Sequence, residues 1–107
     1  MIKLVEFLER DPDLTHEEFV EYWLDEHADL AAELPGLKGY RTSVPTDPES
    51  APYDGVLEFY FEDQAALGAA FESETGEAVL ADAAEFCAPG AGPRMIVEEH
   101  VHVDELD

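Results

Sequence analysis

Two periods of hydrophobicity run along this chain, and the points where one gives way to the other mark its elements. From Ile2 to Leu8 the apolar residues alternate enough to predict a strand, which Asp11-Pro12-Asp13 closes as a turn. From residue 16 to 34 the spacing is helical. At roughly 100° per residue, Phe19, Leu30, Trp23, Leu34, His27, Val20, Ala31 and Leu24 fall in that angular order within roughly 140°. Glu17, Glu18, Glu21, Asp25, Glu26, Asp29 and Glu33 occupy the rest of the circumference and define the water-facing side. Thr15 is a good N-cap with Glu18 three residues on, a capping box, and Leu34-Pro35-Gly36 stops the helix.

Period two returns at Leu37 to Val44, a second strand, followed by the proline-rich loop Pro45 to Pro52. Val56 to Phe61 is the strongest strand, with Leu57, Phe59 and Phe61 on one face and Val56, Glu58 and Tyr60 on the other. Asp63 caps a second helical region to about Phe71; Ser73 to Gly76 interrupts it, and helical spacing resumes from Ala78 to Phe86, which predicts two short helices. After the loop Pro89 to Pro93, Met95 to Val103 reads as a final strand. The order β-α-β-β-α-β is that of the ferredoxin-like α+β fold: a four-stranded antiparallel sheet with its helices on one face. The other face, carrying residues such as Tyr60 and Val97, is then bare, and a homodimer packing sheet on sheet covers it.

Within the first helix, His27 is the one ionisable group in an apolar stripe. It is either a satisfied core group, bonded to a backbone carbonyl or to a carboxylate such as Asp82, or the working end of a pocket.

Composition narrows the picture further. At 107 residues the chain is one domain, 1–107. Five basic against 27 acidic residues give a net charge of −22, yet 46% of residues are hydrophobic, which argues against disorder. The acids lie on the polar faces of amphipathic elements and form no block, the pattern of a protein from a salt-accumulating, halophilic cytoplasm. Nucleic acid is disfavoured because no basic patch exists. No apolar run reaches the roughly 20 residues of a membrane span. With Cys87 alone no intrachain disulfide forms, and Met-Ile-Lys-Leu opens no signal peptide, so the expected location is cytoplasmic. Cys87 is expected to be a small, partly buried apolar group.

The pattern Phe19-x-x-x-Trp23-x-x-x-His27-Ala-x-Leu30, then Leu34-Pro35-Gly36-Leu37-x-x-Tyr40, Tyr53-Asp54-Gly55-Val56 and Ala81-Asp82-x-x-x-Phe86, resembles the EthD family of dimeric α+β barrel proteins. The resemblance spans Ile2 to about Val103. It implies a ferredoxin-like protomer, a homodimeric barrel, and a pocket between sheet and helices that takes a small hydrophobic carbonyl or aromatic compound. Members of this group and its relatives include cofactor-free enzymes acting on lactones or polyketide-like aromatics. His27 matches the motif histidine and is the candidate acid/base; Asp82 also matches. Phe19 and Trp23 are candidate pocket walls or ordinary core, and Tyr40 or Tyr60 reaches the pocket according to which strand face is inward. No cofactor is expected. Two other readings stay open: a non-catalytic ligand-binding or accessory barrel, and a monooxygenase-like member of the same superfamily.

Two other groups offer less. Glu98-x-His100-x-His102 places imidazole and carboxylate on one strand face, but no third donor set accompanies them, so no metal site is assigned. His16, just after the cap, is expected to face solvent.

Overall fold

The computed structural model describes residues 1–90 and 92–106. Strand β1 (Ile2–Leu8) pairs antiparallel with β3 (Gly55–Phe61) and with β4 (Arg94–Glu98), and β3 pairs with β2 (Gly39–Ser43). The sheet order is β2-β3-β1-β4, the ferredoxin-like arrangement. Helices α1 (His16–Tyr22), α2 (Ala28–Ala31), α3 (Gln64–Glu72) and α4 (Glu74–Ala83) follow β1 and β3 in two groups.

The registers sort the side chains. Ile2, Leu4, Glu6 and Leu8 share a face with Leu57, Phe59 and Phe61, and this is the face the helices cover. Leu4, Phe19, Trp23, Phe61 and Phe86 are the largest fully buried side chains, so the core is one layer between sheet and helices.

Local chemistry explains the helix ends. The Thr15 hydroxyl accepts from the Glu18 amide at 3.1 Å while the Glu18 carboxylate accepts from the Thr15 amide at 2.9 Å, completing the capping box. Asp63 caps α3 and Ser73 caps α4, so the interruption expected around 73–76 is a fresh N-terminus. The first helical region is not the uniform helix that its spacing predicts. Between α1 and α2, Trp23–His27 forms a π-helical turn in which the Ala28 amide reaches back five residues to the Trp23 carbonyl, and α2 ends at Ala31.

Two strand boundaries also differ from the sequence reading. β2 begins at Gly39, because Leu37 and Lys38 leave the turn after Gly36, which has φ +77°. β4 ends at Glu98, where its pairing with Ile2 at the start of β1 runs out, and Val101 and Val103 are exposed beyond it.

The opposite sheet face carries Lys3, Val5, Phe7, Arg41, Val56, Glu58, Tyr60, Met95 and Val97. Its centre is polar: Lys3 Nζ lies 2.5 Å from Glu58 and 3.0 Å from Glu99, and the Tyr60 hydroxyl donates to Glu99 at 2.9 Å. Arg41 stacks over the Tyr60 ring at 4.8 Å. Towards one end of this face an open apolar hollow of about 210 Å³ is lined by residues including Phe7, Val44, Pro52, Tyr53 and Val56.

Among the described residues no helix is long and apolar enough to cross a membrane.

Candidate functional site: a histidine over a half-open hollow

The π-helical turn delivers His27 to the inner side of the helix layer, where it is 3% exposed. Its Nδ1 lies 2.7 Å from Asp82 on α4, and the Tyr22 hydroxyl donates to the same carboxylate at 2.6 Å. Burial opposes the charged form of Asp82, but the hydrogen bonds from Tyr22 and His27 outweigh it and hold the carboxyl below its usual range. Tyr22 responds in the other direction, pushed up to about 12 by its hydrogen bond to the carboxylate and by burial. An ionised Asp82 can only accept, so the ring must carry its proton on Nδ1. Nε2 has no hydrogen-bond partner among the described residues. Phe86 packs against the imidazole with centroids 4.8 Å apart and fixes the ring plane.

His27 lines a cavity of about 350 Å³ between the sheet and α4, within the roughly 300–1,000 Å³ typical of small-molecule sites. Leu57, Phe59, Phe71, Val79 and Phe86 give it apolar and aromatic walls. Its polar lining comes from His27, Glu6, Cys87 and Arg94. Backbone ties hold the rim: the Asp11 amide donates to Phe86 at 2.9 Å, Ala88 to Glu9 at 2.9 Å, and Arg10 bridges to Cys87. Gly92, at φ +86°, passes so close to the Phe7 carbonyl that a Cβ would sit 1.7 Å from its oxygen.

The candidate residues are distributed unevenly around this cavity. His27 lines it, and Asp82 supports His27 from behind. Phe19 and Trp23 are fully buried core residues outside the lining, with ring centroids 5.6 Å apart. Tyr40 stacks on Phe59 at 4.6 Å but does not reach the cavity; burial pushes its phenol up to about 12. Its hydroxyl and the Trp23 indole nitrogen are both buried without a hydrogen-bond partner among the described residues. Tyr60 is on the opposite sheet face, in the Lys3 cluster, because register parity turns it away. His16 does not face solvent as expected: its Nδ1 lies 2.8 Å from Asp54, which also accepts from the Arg10 amide, so the first turn folds back over the β3 entrance.

Glu6, Arg94 and Tyr22 belong to the site and carried no weight in the sequence reading. A usable signal existed for Glu6, the one acid at the alternate positions Ile2, Leu4, Glu6 and Leu8 of an otherwise apolar strand face. Cys87 is half-buried, and burial first, then the carboxylates of Glu6 and Asp54, push its thiol up to about 12. Among the described residues no group of His, Cys, Asp and Glu is arranged to hold a metal ion.

The chain has a ferredoxin-like α+β fold with a carboxylate-paired histidine at the wall of a half-open, mostly apolar hollow. The EthD domain matches residues 11–90, and the chain belongs to the EthD family. Its structure is similar to an EthD family protein from Bacillus halodurans, with 26% identity and a TM-score of 0.80 over 94% of this chain and 99% of that one. It also resembles a dimeric ferredoxin-like protein of unknown function from Thermobifida fusca, at 21% identity and TM-score 0.67 over 90% and 86% of the two chains. A third neighbour is SnoaB, a cofactor-independent oxygenase from Streptomyces nogalater, at 12% identity and TM-score 0.72 over 97% of each chain. No curated protein matches the sequence.

Proposed function

We propose that this protein is a cytoplasmic homodimer that binds a small hydrophobic carbonyl or aromatic compound in the cavity beneath His27. There it catalyses proton transfer, of the kind that drives isomerisation or cyclisation, without a cofactor. The observation that carries this reading is the pairing of His27 Nδ1 with Asp82, which leaves Nε2 free on a residue that lines the hollow. Fixing the tautomer with a carboxylate is what makes an imidazole an oriented base, and positioned acid/base groups contribute roughly 10²–10⁴-fold in rate. Aromatic walls from Phe59, Phe71 and Phe86 suit a flat substrate. The dimeric neighbour and the half-apolar open sheet face support the homodimer, and the 27 acids support a halophilic setting.

The test is deuterium exchange at the methyl group α to the carbonyl of 4-hydroxyacetophenone, followed by proton NMR in D₂O. The wild-type protein is expected to accelerate exchange over buffer, and His27→Ala to return it to the buffer rate with the oligomer intact by light scattering. Wild-type exchange no faster than buffer, or undiminished exchange in the variant, overturns the reading. A second reading, favoured by the likeness to SnoaB, is that the carbanion made by the same proton abstraction reacts with dioxygen. Oxygen uptake in the same assay distinguishes it.

A further inference from the structure

Glu6 is a carboxyl placed where the fold would ordinarily put a hydrocarbon. It lies on the helix-covered face of β1 between Leu4 and Leu8, opposite Leu57 on β3, and it lines the cavity that His27 lines. Its cross-strand neighbour on β4 is Arg94, which also lines the cavity. No hydrogen bond or ion pair joins the Glu6 carboxyl to a described residue, and its only attractive charge is that of Arg94. Burial raises its pKa, and Arg94 offsets this only in part. Of the other titratable wall groups, the Cys87 thiol is neutral at ordinary pH and His27 is paired with Asp82. A half-buried acid without a protein partner, facing a half-open, apolar-walled space, is satisfied by what fills that space.

We propose that Glu6 is the specificity-determining residue of the cavity, selecting uncharged ligands that carry a hydrogen-bonding oxygen and rejecting carboxylates. Protonated, Glu6 donates to a carbonyl or hydroxyl oxygen; ionised, it accepts from a hydroxyl. Ionised, it repels a second carboxylate, because like charges brought together away from water cost several kcal/mol; protonated, it offers its proton to an uncharged oxygen, which enters the apolar-walled space without the desolvation cost a carboxylate carries. Arg94 is the group that an anionic ligand needs, and the charge of Glu6, its cross-strand neighbour, offsets it in part. The proposal rests on the cavity being the ligand site and adds the class of ligand: a neutral, mostly apolar molecule with at least one oxygen function, in place of an organic acid.

The experiment compares binding of 4-hydroxyacetophenone with that of 4-acetylbenzoate, by calorimetry at about 1 M KCl, where a Debye length of about 3 Å screens the surface acids and isolates the buried group. The wild-type protein is expected to prefer the ketone without the carboxylate by about tenfold or more. In Glu6→Gln, which keeps size and hydrogen bonding, the preference falls to within about threefold, chiefly because the carboxylate now binds beside Arg94. Because the variant gains a ligand, a misfolded protein cannot imitate the result. His27→Ala is the control: its effect falls on both probes alike, and the ratio stays at the wild-type value. A ratio unchanged in Glu6→Gln overturns the role of Glu6 while leaving the cavity reading standing. Failure of both probes to bind the wild-type protein overturns the cavity reading and this one with it.

Discussion

At the scale of single residues, the site depends on one carboxylate that serves two donors. Asp82 accepts from Tyr22 and from His27, so it sets the proton position on the imidazole and ties α4 to the first helical region. Replacing Asp82 by Asn removes the charge and is expected to cost about 1–3 kcal/mol in urea unfolding at neutral pH, with Asp82 only 23% exposed in the native chain. The folded-state pKa of Asp82 is depressed, so its contribution is complete above the unfolded value and is lost as pH falls through the folded value. The gap between the wild type and Asp82→Asn is therefore expected to close on acidification. A gap that widens, or never existed, refutes the role. The pairing of His27 with Asp82 was legible as one of two options, since an apolar stripe with one histidine needs a partner. Tyr22 was not, because at 100° per residue it lies about 60° beyond the edge of the stripe, among the acids, where a phenol has no distinguishing period.

At the scale of elements, periodicity located every strand and helix, and the failures were local. A 100° wheel assumes one hydrogen-bond pattern throughout, so it has no means of registering the five-residue step at Trp23–His27. The final strand was overextended because Val97, Val101 and Val103 continue an alternation after the pairing partner has ended. Parity defeated the tyrosines: Tyr40 is on the covered face and Tyr60 on the open one, and only the register with β1 and β3 decides this.

Gly55 shows how tightly the first helical region is seated on the sheet. A Cβ there would lie 2.4 Å from the Trp23 ring, which is fully buried and has nowhere to go. Gly55→Ala is thus expected to destabilise the protein by about 1–3 kcal/mol through overpacking. Gly68, within α3, has nothing within 4 Å of the same added atom, and Gly68→Ala is expected to stabilise by about 0.5–1 kcal/mol. Thermal melts of the two variants should move in opposite directions; a Gly55→Ala melt at or above the wild type would show that the Trp23 contact is looser than drawn.

At the scale of the whole molecule, 27 acids against five bases make self-repulsion the largest long-range effect on stability. Most of the acids are exposed on helices and loops, where salt screens them. The melting temperature is expected to rise steadily from about 0.1 M to molar KCl, as the Debye length falls from about 10 to 3 Å. A flat profile would remove the halophilic reading. The fold and its family were readable at this scale from element order and motif spacing; the ligand was not, because fold constrains chemistry only through the side chains a cavity happens to gather.

The open sheet face departs from this charge pattern. Lys3 and Arg41, two of the five cations in the chain, meet Glu58 and Glu99 there, so two positive and two negative groups cancel. The helices and loops carry most of the excess acid. Two copies approaching through their open sheet faces therefore bring less like charge into close range than two approaching through their helices, and the excess acid acts as a filter on the geometry of encounter.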